Sequence, residues 1–221
     1  MASLKSHLNI PLDQQDWTWR RAFYELLPAH ENFEISGTMV NEKQHTYLVA
    51  IPVYDPGSGK GRYAAFKNLI IDCIQNRYGL CLIVERTAKI PSALLGFGSV
   101  WSYAEYGHLG GCGNVRDDFE KAFSISRSEP LTAVVSEDNN IMIGRPSDDF
   151  FPPYVRDMLS SEIKKHKNPA DPEYNLVTTK KYAMPYSIGI SVGHNATHEE
   201  KINIRRCVDF YMPPYLPAEI L

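Results

Sequence analysis

The chain has 221 residues, 43% of them hydrophobic and 11% aromatic, enough apolar surface to bury a core as one large domain or as two small lobes. A formal net charge of -3, with no run of Lys or Arg longer than two, leaves no positive field for a phosphate backbone and argues against a nucleic-acid partner. No window approaches a membrane span, and Pro11 comes before any apolar run of signal-peptide length, so the expected setting is soluble and cytoplasmic.

In chain order, Trp19, Phe23, Leu26 and Leu27 recur at helical spacing, which predicts a helix from an Asp13 cap to about Leu27, ended by Pro28. Residues 33–40 and 45–54 are rich in β-formers around the turn NEKQ and predict a hairpin. After the turn DPGSGKG, the stripe Phe66, Leu69, Ile70, Cys73 and Ile74 predicts a second helix closed by Gly79, and LCLIVE then reads as a buried strand.

The stretch from Gly96 to Asn114 packs six glycines around four aromatic residues and predicts a strand over 99–103 opening into the loop YGHLGGCGN. A short helix is expected around 118–123, and a second hairpin joins 131–135 to 141–144. Prolines at 152 and 153 suit the first turn of a helix reaching about Lys167, carrying Val155, Leu159 and Ile163 on one face. KNPADPEYN reads as a loop and 186–192 as a strand. Thr197 with Glu200 forms a capping box that favours a helix from His198 to about Val208, against a competing period-two pattern. The proline-rich tail is expected to lie extended against the body.

These elements specify an α+β fold of two mixed lobes, hairpin-rich sheets with single packed helices, because the helices intervene singly and do not alternate with parallel strands. The boundary expected from composition gives an N-terminal lobe over 1–114 and a C-terminal lobe over 115–221, folding as two domains or as one cooperative unit.

No stretch completes a catalytic, cofactor or metal signature, and no cofactor is implied. Asp55–Gly61 lies between a strand and a helix, where main-chain N–H groups could hold an anion. It lacks the first glycine and the hydroxyl of a phosphate-binding loop, so a flexible turn is favoured. The four cysteines show no C-x-x-C pair and suggest neither a zinc site nor a disulfide framework. His108 and Cys112, four apart, could form an activated thiol, although Cys/His hydrolases need a third group to orient the pair. His194 and His198 share their spacing with a helical metal pair, but a cap at Thr197 places His194 before the helix. Asp117, Asp118, Asp148 and Asp149 precede expected helices and are read as favourable charges at helix starts.

What remains are aromatics beside glycine or proline, the residue types of protein-binding surfaces. Trp101, Tyr103, Tyr106 and His108 form the expected contact centre, with Asp148, Asp149 and Tyr154 at its rim. SVWSYAEYG, IGRPSDDFFPPYVRDML and DFYMPPYLP resemble segments of a family of uncharacterised bacterial cytosolic proteins, similar in their second half to SseB-type domains. That resemblance covers about a third of the chain and carries no catalytic residue. It implies an accessory or immunity factor; the composition and the loop aromatics point to another protein, such as an effector or toxin, as the partner, and the Cys112/His108 pair leaves a hydrolase as the alternative.

Overall fold

A computed structural model describes residues 3–54, 61–109, 132–136, 139–146, 148, 151–166, 171–178, 187–192, 196–214, 216 and 218–220. The chain divides into two compact units, Met1–Gly113 and Asn114–Leu221. Each carries a mixed five-stranded sheet with helices, and the fold is α+β as the hairpin pattern predicts. The Asp55–Lys60 turn, Cys112, Asp117, Asp118, the helix expected at 118–123, Asp149 and His194 lie outside the described residues.

The first unit opens with α1 (Leu4–Leu8), which at five residues is too short to persist alone. Two devices hold it. Ser3 and Ser6 form a reciprocal capping box, and His7 is clasped to Trp19. The His7 Nε2 lies 2.8 Å from the Trp19 carbonyl, the Trp19 indole donates to the His7 carbonyl at 3.0 Å, and the two rings stack at 4.9 Å. Next comes α2 (Trp17–Ala29), which starts later than Asp13 suggests. Asp13 sits in a separate 3-10 turn, Leu12–Gln14, and Asp16 is the cap, accepting from the Trp19 N–H at 2.8 Å. The helix also runs through Pro28, whose fixed φ suits a last turn at the cost of one donor.

β1 (Phe33–Val40) and β2 (Thr46–Pro52) form the expected hairpin, with a bulge at Ser36, between the paired Ile35 and Gly37, and Gln44 left-handed in the turn. β3 (Arg62–Ala64) pairs with the start of β1. α3 (Phe66–Asn76) carries the predicted stripe, but Arg77, at φ 60°, takes the left-handed cap expected of Gly79. Gly79 instead opens β4 (Gly79–Leu82), where a Cβ would lie 2.6 Å from the Leu95 carbonyl oxygen and from the Tyr47 ring. β4 runs parallel to β2 and is flanked by β5 (Ala93–Leu95), a three-residue strand too short to leave a periodic pattern. The sheet order is β3-β1-β2-β4-β5. Phe23, Leu27, Phe33, Leu48, Leu69, Leu80 and Leu82 meet in one core, each such burial contributing about 1.5–3 kcal/mol.

In the second unit β6 (Thr132–Ser136) and β7 (Asn139–Gly144) form the expected hairpin. α5 (Pro153–His166) begins at the prolines and gathers Lys164, Lys165 and His166 in its last turn, where the helix dipole favours cations. β8 (Glu173–Thr178) replaces the loop expected through Asn175, because Tyr174 and Leu176 alternate onto the face where β9 (Ser187–Ser191) presents Ile190 and Ile188. The Tyr174 ring packs edge-on to Phe151 and its hydroxyl lies 2.9 Å from that of Ser160 on α5. α6 (His198–Tyr211) leads to β10 (Ala218–Ile220), parallel to β9 and at the edge of the order β10-β9-β8-β7-β6.

Candidate functional site

The aromatic stretch singled out in the sequence is α4 (Phe97–Tyr106), a helix and not the strand expected over 99–103. Trp, Tyr and Val favour strands in isolation, but here Gly96 and Gly107 bracket ten residues as caps. Gly107 takes φ 77°, which spares a side chain the left-handed penalty, and its N–H donates to the Tyr103 carbonyl at 2.9 Å. Residues 97–102 are buried on every side, so the helix shows no polar face in its first half. It packs on α3.

The helical frame separates the four proposed contact residues. Trp101 is 0% exposed and is a core side chain, which corrects its place at the centre of a surface. Tyr103 is half-buried, edge-on to Phe66 of α3 at 4.9 Å. Tyr106 and His108 are also half-buried, at the end of the helix beside the exposed Ala104, Glu105 and Gly107. The Tyr106 ring meets the buried Trp101 indole at 6.0 Å and His108 at 6.2 Å, so the indole backs Tyr106 and Tyr106 in turn meets His108.

Two hydrogen bonds fix the turn after α4. The Ser102 hydroxyl donates to the His108 carbonyl at 2.8 Å, and His108 Nδ1 lies 3.1 Å from the Tyr106 carbonyl, a contact that requires the proton on Nδ1. Ser102 is fully buried and was not among the sequence candidates. Its signal becomes readable only once 97–106 is known to be helical, because a serine in the last full turn can then reach a carbonyl beyond the cap.

The remaining candidates belong to the second unit. Tyr154 is half-buried in the first turn of α5. Asp148 is exposed and forms an ion pair with Arg156 of α5, and the Val155 and Arg156 N–H groups donate to the Pro152 carbonyl. A shallow cavity of about 290 Å³ lies where α6 meets the tail, lined by Arg205, Asp209, Met212, Pro214 and Leu216 among others.

The thiols in the described residues are not activated. Burial pushes Cys73 up to about 12, with Asp72 adding to the effect, and pushes Cys81 and Cys207 up to about 11. At neutral pH all three are protonated and unsuited to nucleophilic attack. Among the described residues no three His, Cys, Asp or Glu side chains gather in a way that could hold a metal ion. His198 is the first residue of α6, and the Thr197 capping box is formed, the Glu200 N–H donating to the hydroxyl at 3.2 Å and the Thr197 N–H to the Glu200 carboxylate at 2.7 Å. Among the described residues no helix is long and apolar enough to cross a membrane.

Against this geometry the comparisons with known proteins are silent: no family model matches the chain, and neither a curated protein nor a solved structure does.

Proposed function

We propose that this chain is a non-enzymatic cytoplasmic protein-binding protein of the immunity type, which captures a bacterial effector or toxin through the carboxyl end of α4. The observation that carries this reading is the rigid presentation of Tyr103, Tyr106 and His108. Each is half-buried, held by a ring or hydrogen bond beneath it, and set beside an exposed turn. Aromatic anchors already ordered before binding lose little entropy on association and supply large contact area. The net charge of -3 favours a basic partner, since complementary fields speed encounter.

The test is capture from the native host by tagged wild type and by Tyr106→Ala, with both melting temperatures measured. A protein retained by the wild type and lost by an equally stable Tyr106→Ala supports the reading. Recovery of a small metabolite and no protein would sink it. Thiol labelling separates this reading from the hydrolase alternative: fast, selective alkylation of Cys112 near neutral pH, abolished by His108→Ala, would favour the enzyme instead.

A further inference from the structure

The sheet of the first unit ends in β3 on one side and β5 on the other, and the two edges differ. β3 carries Arg62, whose guanidinium meets the Asp72 carboxylate at 2.7 Å, and a charge on an edge discourages pairing with another chain. β5 has neither a charge nor a proline between Ala93 and Leu95, and its central side chain, Leu94, is 47% exposed.

Main-chain bonds fix which way β5 turns its polar groups. The Ile83 N–H, just past β4, donates to the Ala50 carbonyl of β2 at 3.2 Å, so Cys81, two residues back, also faces β2, while Leu80 and Leu82 face β5. The Ser92 N–H agrees, donating to the Leu82 carbonyl at 2.8 Å. Leu80 lies opposite Leu95 and Leu82 opposite Ala93, which makes these the hydrogen-bonded pairs of the antiparallel ladder. Leu94, between them, therefore turns both its N–H and its C=O outward, and neither group has a hydrogen-bond partner among the described residues. One residue pair away the same edge is covered: the Ser92 carbonyl accepts from Gln15 Nε2 at 3.1 Å. Trp17, two residues beyond Gln15, and Ile90, two residues before Ser92, are both exposed, so the open main-chain groups stand among apolar side chains.

We propose that β5 is a self-association edge: two copies of this chain pair antiparallel about a two-fold axis at Leu94, joining their first-unit sheets. The occupant follows from the groups left open. An edge that offers one N–H and one C=O from a single residue is self-complementary, because the same residue of a second copy, turned by the two-fold, returns both bonds as one hydrogen-bonded pair. The two Leu94 side chains then meet across the axis on one face, with their Cα atoms about 5.5 Å apart. The ladder extends no further, since the Ser92 carbonyl is taken by Gln15 and the Gly96 carbonyl by the Ser99 N–H at the start of α4. Two main-chain bonds and a few apolar side chains fall short of the roughly 1,000 Å² of a stable interface, so the pairing is reversible, with a Kd on the order of 0.1 mM. It stands independently of the binding surface on α4.

The experiment is sedimentation equilibrium and NMR amide exchange on the full chain between about 10 µM and 1 mM, a range that spans the expected Kd. The mean mass should rise toward that of a dimer, and exchange at Leu94 should slow by about threefold or more as the dimer fills, while the inward amides of Ala93 and Leu95 stay equally protected throughout. Leu94→Lys, which sets two like charges on the axis, should abolish association without changing the melting temperature, and so should Leu94→Glu. An equal mixture of the two variants should associate more tightly than either alone, because only a residue that meets its own copy can be rescued in this way. A chain that stays monomeric at 1 mM, a Leu94 amide indifferent to concentration, or a Leu94→Lys variant that associates like the wild type overturns the proposal. Leu94 protection that appears only when another protein is added would assign the edge to a foreign strand and overturns it equally. Should the variants fail to fold, the wild-type mass and the Leu94 amide decide the matter by themselves.

Discussion

α4 and α6 are stabilised in opposite ways. α4 is ten residues long, capped at both ends by glycine, and buried from Phe97 through Ser102. Neither cap offers a side chain, so this helix exists because its surroundings enclose it. α6 is fourteen residues long and amphipathic: Ile204, Cys207, Val208 and Tyr211 form one buried stripe, while Lys201, Ile202, Arg205, Arg206 and Asp209 face solvent. Its start is fixed by the Thr197 and Glu200 side chains, and Pro213 and Pro214 follow its end. A short apolar helix draws its stability from tertiary packing, whereas an amphipathic one divides it among stripe, caps and surface pairs. The end of α4, with Tyr106 as its last residue and His108 just past the Gly107 cap, is therefore only as well formed as the burial of the residues before it.

Truncating the core of α4 is the strongest way to break this contrast. Trp101→Ala removes a fully buried indole and is expected to lower unfolding free energy by about 3–5 kcal/mol, read by urea denaturation. A loss below about 1 kcal/mol, the level of ordinary surface changes, would mean that α4 does not depend on its burial. The corresponding change at α6 is smaller because a cap is one contribution among several. Thr197→Ala should cost about 0.5–2 kcal/mol, and Thr197→Ser should recover most of it. If serine fails to restore stability, the threonine methyl and not the capping oxygen would be the source.

The same contrast explains what could be read from the sequence. The start of α6 was legible because a capping box is written in side chains, and the box decided correctly against the period-two pattern of Ile202 and Ile204. The hairpins were legible because alternation and polar turns are local signals. α4 was misread as a strand because burial on all sides erases helical periodicity, its aromatics favour strands, and glycines mark loops as readily as caps. Trp101 was placed at a surface for the same reason: without the helical frame, nothing separates a supporting indole from the rings it supports. β5, β8 and β10 were missed as pairing strands, since three to six residues carry little pattern and their order depends on distant partners. Tyr103, Tyr106 and His108 do fall at one end of one element, but their support by Phe66, Trp101 and Ser102 is a tertiary fact.

The smallest effect is expected at Arg205, where α6 meets the chain's last strand. Its Nε donates to the Asp209 carboxylate at 2.8 Å, and its Nη1 donates to the Ala218 carbonyl at 2.8 Å. The ion pair has both side chains about half exposed, at 54% and 51%, and places the arginine before the acid, the weaker order on a helix. It should contribute about 0.2–1 kcal/mol or nothing measurable. The bond to Ala218 differs in kind, because it ties a partly exposed edge strand to the helix that precedes it. Arg205→Ala should therefore lower global stability by at most about 1 kcal/mol, within the net range of one hydrogen bond. Amide exchange in β10 should rise by roughly fivefold or more, as expected for a locally opening segment, while α6 stays protected. Asp209→Ala separates the two bonds: it removes the ion pair and leaves the guanidinium on the Ala218 carbonyl, so β10 protection should survive. If Asp209→Ala loosens β10 as much as Arg205→Ala does, the carboxylate is needed to aim the guanidinium, and the edge strand is held by the pair together.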